Sequence, residues 1–103
     1  MATAAKTVFS HITKDPNVCG GKACIGDTRI RVIDVIELQR EGLKPEEMRN
    51  TFAVPMTLAQ IYSALSYADE HPEEIAADFA EGVEVEAQIE RERTEYLRRR
   101  SGP

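Results

Sequence analysis

The sequence predicts a mainly α-helical domain: a short N-terminal β-hairpin region, a three-helix core and a C-terminal helical extension. Three observations predict it. Up to Arg31 the chain alternates short β-branched pieces with glycines and an Asp-Pro-Asn turn. From Val32 the apolar residues recur every three or four positions, with helix start and stop signals between successive stretches. Beyond Pro72 the chain is dense in charge and keeps only an intermittent apolar stripe. A length of 103 residues allows one compact domain and an appendage, with the division expected as 8–72 and 73–103.

Residues 1–7, at the start of the chain, carry no pattern. Val8 to Thr13 reads as a short strand, and Asp15-Pro16-Asn17 as a turn. Gly20-Gly21 and Gly26-Asp27 then leave Ala23–Ile25 and Thr28–Arg31 as extended pieces, with Thr28 or Thr13 able to cap the next element. Val32, Ile33, Val35, Ile36 and Leu38 line one side of a first helix, and Gly42 terminates it. Lys44-Pro45-Glu46-Glu47 starts a second, expected to reach Phe52, with Met48 and Phe52 on one face. Val54-Pro55-Met56 breaks it, since proline disfavours helical geometry in the residue before it. Thr57 and Gln60 form a capping-box pattern at the head of a third helix, Thr57–Glu70. Leu58, Ile61, Leu65 and Ala68 make its apolar stripe, and Tyr67 is assigned to its outer faces. His71-Pro72 ends or kinks it. Residues 73–100 read as helical, with Ile75, Phe79, Val83, Ile89, Tyr96 and Leu97 as a loose apolar edge, weakened at Gly82 by about 1 kcal/mol relative to alanine.

Helix, short helix, break, longer helix is the order of a helix-turn-helix unit. Thr57, Gln60 and Ser63 would then face base edges, and Lys22, Arg29, Arg31, Arg49 and Lys44 the phosphates. Three helices that simply bury one core would show the same pattern. Charge tempers the DNA reading: 13 basic residues face 18 acidic ones, for a net −5. Residues 1–31 carry five basic and two acidic side chains, whereas residues 69–95 carry eleven acidic and two basic. A basic front and an acidic rear suggest two partners of opposite charge, and scattered acids on a solvated helix are the plain alternative. No apolar run approaches the length of a membrane span, and no secretory leader is visible, which points to the cytoplasm. Cys19 and Cys24 with only two histidines make a poor metal set, and Gly20-Gly21-Lys22 lacks the spacing of a phosphate loop. Nothing resembles a catalytic constellation or a cofactor site.

Asp15-Pro16, Val18-Cys19-Gly20-Gly21-Lys22-Ala23-Cys24-Ile25, Thr28-Arg29-Ile30 and Val32 together resemble the opening signature of the bacterial family catalogued as domain of unknown function 433. Gly42, Pro45-Glu46-Glu47, Thr57-Leu58, Ile61 and Tyr67-Ala68 match its second half. The similarity covers residues 10–72. Ala23 stands where the family usually has proline, and Phe52–Met56 replaces a usual Tyr-Pro turn. The resemblance implies a homeodomain-like helix-turn-helix fold and an antitoxin of a type II toxin–antitoxin pair. Such a protein neutralises a PIN-like ribonuclease toxin and represses its own operon as a homodimer on operator DNA, the N-terminal extended region pairing the protomers. Residues 73–103 lie beyond the resemblance. A charged helix with one apolar edge suits a partner-covering role, carried by Ile75, Phe79, Val83, Ile89, Arg91, Arg93, Tyr96, Leu97 and Arg98. Its arginines, with Arg99 and Arg100, can reach metal-binding carboxylates of such a toxin, and Glu84, Glu86 and Glu90 can occupy its phosphate path. A protein-interaction module that never touches DNA is the alternative, as is a C-terminal helix that packs on its own dimer mate.

Overall fold

The structure is a computed structural model that describes residues 5–6 and 10–101, with residues 5, 6 and 101 described by backbone alone. Three short strands, β1 (Ala5–Lys6), β2 (Ile12–Lys14) and β3 (Cys24–Ile25), pair antiparallel in sequence order. Ile12 lies opposite Ile25 and Thr13 opposite Cys24, so the inward side chains of both strands are aliphatic and fully buried. Val8 and Phe9 of the expected first strand lie outside the described residues. Ala5–Lys6, expected as unpatterned chain, instead pairs with Thr13–Lys14. The chain between β2 and β3 turns through Cys19, Gly20 and Gly21, whose φ angles of 51°, 66° and 84° are all positive. Two glycines are what such a path requires, and Cys19 accepts it with its thiol directed to the Arg29 carbonyl at 3.5 Å.

Four helices come next: α1 (Val32–Arg40), α2 (Pro45–Met48), α3 (Leu58–Glu70) and α4 (Pro72–Ser101). Neither threonine caps α1. Arg31 occupies the cap, and its backbone N–H donates to the Asp34 carboxylate at 2.8 Å. Thr28 holds the preceding turn, donating to the Ile25 carbonyl at 2.7 Å and accepting from the Ile30 N–H at 3.1 Å. Gly42, at φ 95°, closes α1 through paired bonds from Gly42 N–H to the Gln39 carbonyl and from Leu43 N–H to the Leu38 carbonyl. The second helix is a single turn ending at Met48, not at Phe52. The chain leaves it early to bring Met56, 3% exposed, back into the core, with Met56 N–H bonded to the Arg49 carbonyl. Thr57 and Gln60 cap α3 reciprocally, by a 3.1 Å bond from Gln60 N–H to the hydroxyl and a 2.8 Å bond from Thr57 N–H to the amide oxygen. Proline at position 72 ends α3 and starts α4 in one step.

The core gathers Ile12 and Ile25 from the sheet, Val32, Val35 and Met48 from α1 and α2, and Ile61, Ala64 and Tyr67 from α3. Ile75 and Phe79 join it from the first two turns of α4. At 30 residues, α4 is about 45 Å long, and it carries the molecule to an extent of 58 Å along its longest axis. Its side chains that pack on the core, Ile75 and Phe79, lie near its start.

Candidate interaction surfaces

Four contacts with other elements of the fold hold the root of α4. Glu74 receives a 2.7 Å bond from the Lys14 ammonium on one carboxylate oxygen and a 2.6 Å bond from the Tyr67 hydroxyl on the other. Lys22, its side chain only 13% exposed, pairs with Glu81 at 3.0 Å. Arg40 of α1 lies over the Phe79 ring at 4.1 Å. Burial pushes the Glu74 carboxyl up, but the Lys14 and Tyr67 bonds outweigh it and hold the group below its ordinary value. Burial and the Glu74 bond together push the Tyr67 phenol well above its ordinary value. Tyr67 is therefore a buried anchor, 2% exposed, and not an outward residue of α3. The basic front and the acidic rear meet each other at Lys14–Glu74 and Lys22–Glu81. Nothing local in the sequence signals these pairs.

Past Gly82, α4 leaves the core. Val83, Val85, Ile89, Tyr96 and Leu97 are all exposed, at 65%, 51%, 57%, 61% and 46%. Of the residues expected to meet a partner, Ile75 is instead buried in the chain's own core, and Phe79 packs against that core only partly buried. The other seven, Val83, Ile89, Arg91, Arg93, Tyr96, Leu97 and Arg98, all stand open on the outer half. Arg93 and Arg98 make only exposed pairs within the helix, with Glu90 at 3.8 Å and Glu95 at 3.2 Å, which are weak in water. Between α1 and the root of α4 runs a groove of about 430 Å³ lined by Ile33, Glu37, Asp78, Phe79, Gly82 and Glu86 among others. Burial pushes the Asp78 carboxyl there above its ordinary value.

The residues expected to meet DNA divide between two places. Thr57, Gln60 and Ser63 recur every three residues on one side of α3, and Thr57 is exposed. Gln60 spends its amide oxygen on the helix cap. Arg49 is exposed and tied by its carbonyl to Met56, beside the head of α3, and Arg29 is exposed in the loop before α1. Lys22 and Arg31 lie elsewhere, on the wall of the α1–α4 groove. Both are already paired, Lys22 to Glu81 and Arg31 to both carboxylate oxygens of Asp34 at 2.8 and 3.2 Å. Their charge is largely neutralised within the chain. Lys44 is exposed.

Cys19 and Cys24 are free thiols. Burial, with the neighbouring Cys19, pushes the Cys24 thiol up to about 12, and its Sγ lies 3.4 Å from the Lys22 carbonyl. Among the described residues no helix is long and apolar enough to cross a membrane.

Comparison with known proteins places these features in context. The sequence model of a family described as "Protein of unknown function (DUF433)" matches residues 12–68. A crystal structure of a DUF433 member protein from Anabaena variabilis is similar over 68% of this chain and 68% of its own, at 30% identity and a TM-score of 0.62. A search of curated proteins finds no match.

Proposed function

The chain belongs to the DUF433 family, and on that premise we propose that it is a cytoplasmic antitoxin that neutralises a PIN-like ribonuclease toxin with the outer half of α4. The observation that carries this reading is the run of exposed apolar side chains from Val83 to Leu97 on a helix that has left its own core. Covering a side chain such as Ile89 or Leu97 is worth about 1.5–3 kcal/mol, so this edge favours association with another surface. Arg91, Arg93 and Arg98 flank it and suit a partner with clustered carboxylates. The test is inhibition of the ribonuclease encoded by the neighbouring gene. The full chain should form a stoichiometric complex and abolish RNA cleavage, and Leu97→Glu combined with Arg98→Glu should lose both. A parent chain that neither binds nor inhibits overturns the reading.

A second reading, repression of its own operon, is favoured by the outward face of α3. Thr57, Tyr62 and Ser66 are exposed there, with Arg49 beside the helix head. Its electrostatic base is narrow, because Lys22 and Arg31 already hold intramolecular partners. Binding of the chain to its own promoter, measured across salt, tests it. Loss of preference in Gln60→Ala together with Arg49→Ala is expected, and salt-insensitive or absent binding overturns it.

A further inference from the structure

The groove between α1 and the root of α4 carries charge that its own fold does not use. Four carboxylates and two cations line it, on walls that include Ile33, Phe79, Val83 and Val85. Both cations are committed within the chain, Lys22 to Glu81 at 3.0 Å and Arg31 to Asp34 at 2.8 Å. Glu37, Asp78 and Glu86 are left without an ion pair among the described residues, so the excess is negative. Asp78 is the telling member. It is half-buried, and burial holds its carboxyl above the ordinary value although Lys22 and Lys14 pull it down. A half-buried carboxylate that its own chain leaves unpaired weakens the fold at neutral pH, and a cation brought from outside offsets that cost. Val83 and Val85, 65% and 51% exposed, belong both to the groove wall and to the apolar edge of outer α4. A surface laid along that edge therefore reaches the groove.

From this we infer that the protein partner covering the outer half of α4 seats an arginine or lysine side chain in the α1–α4 groove, against Glu37 of α1 and Asp78 of α4. The inference rests on the nuclease reading of α4 and adds the chemistry of a second contact, at the helix root. There the partner's cation enters this chain, the reverse of this chain's arginines reaching the partner. The aliphatic stem of such a residue suits Ile33 and Phe79, while its charged head meets the carboxylates. Gly82 adds room, since a Cβ built on it meets nothing within 4 Å. An anionic side chain in the same place would face unpaired carboxylates, which excludes partners of that charge. The tip of α4 presents the opposite sign through exposed Arg98, Arg99 and Arg100. A partner is therefore cationic over the root and anionic over the tip, and charge sets which way α4 lies on it.

Calorimetric binding of the full chain to the ribonuclease encoded by the neighbouring gene, repeated across salt, tests it. Glu37→Gln combined with Asp78→Asn should weaken association by at least about tenfold and leave it less sensitive to salt. Glu37→Lys should weaken it too, by placing a cation where the partner's own must sit. The melting temperature of each variant, expected at or above that of the parent where Asp78 is neutralised, separates this loss from misfolding. Glu46→Gln, which removes an exposed carboxylate of α2 away from the groove, should bind as the parent does. A parent chain that does not bind overturns this inference together with the nuclease reading. A parent that binds while the double variant binds as tightly, or weakens with its salt response unchanged, overturns this inference alone. So does a Glu37→Lys chain that binds as tightly as the parent or more so.

Discussion

Glu74 shows how much one side chain holds in this fold. It joins β2 through Lys14, α3 through Tyr67, and α4 through its own backbone. Its folded carboxyl titrates below its ordinary value, so it contributes stability that is fully present above the unfolded value and lost as pH falls through the folded one. Asp78 has the opposite sign: its raised value makes the carboxylate a cost at neutral pH that protonation removes. Glu74→Gln should therefore lower stability at pH 7 and flatten the acid limb of the stability curve, whereas Asp78→Asn should raise stability at pH 7. Urea unfolding monitored from pH 3 to 7 checks both. At neutral pH, Glu74→Ala should cost about 1–3 kcal/mol, the usual range for removing the partner of a buried polar group. The cysteines differ in the same local way. Cys24, 3% exposed and with its thiol pushed up to about 12, should resist a disulfide reagent at pH 8 until the chain unfolds, while half-exposed Cys19 reacts. Equal rates for the two thiols in the folded protein would contradict this.

At the scale of elements, local signals decide most of the outcome. The Gly42 terminator, the Thr57–Gln60 box and the proline at 72 are readable because each acts within four residues of itself. Thr57→Ala should cost about 1 kcal/mol, seen as a lowered melting temperature, because Gln60 loses its side-chain acceptor. Gly82 is the converse case. It lies inside α4 with open space around it, so Gly82→Ala should stabilise the helix by up to about 1 kcal/mol and raise helical ellipticity. An unchanged or lower melting point would mean that the missing side chain serves a contact. The second helix was readable in place but not in length. Met48 and Phe52 have helical spacing, yet the chain abandons the helix after one turn because Met56 must reach the core. β1 was not legible, because its pairing is made by backbone and leaves no pattern in Ala5 and Lys6.

For the molecule as a whole, the opposed charges of front and rear act first on each other. Lys14–Glu74 and Lys22–Glu81 clamp the root of α4 to the sheet side of the domain. Replacing both lysines by alanine should lower unfolding stability by about 1–2 kcal/mol in low salt, the pairs being only partly exposed. Added salt should erase only part of that difference, because Lys22 is largely withdrawn from solvent. A variant as stable as the parent would reduce the clamp to a surface decoration. Of the residues expected to bind partners, the outer α4 set and Thr57 stand exposed, whereas Ile75 is buried, Phe79 is partly buried, and Lys22 and Arg31 hold partners within the chain. By itself the sequence determined where helices begin and end and that α4 carries an apolar edge, since caps, breakers and spacing act over three or four residues. Only the tertiary structure decided how much of that edge is covered, which charges are satisfied and that Tyr67 faces inward. Those outcomes rest on contacts between residues as far apart as Lys14 and Glu74, sixty positions along the chain, which no local pattern encodes.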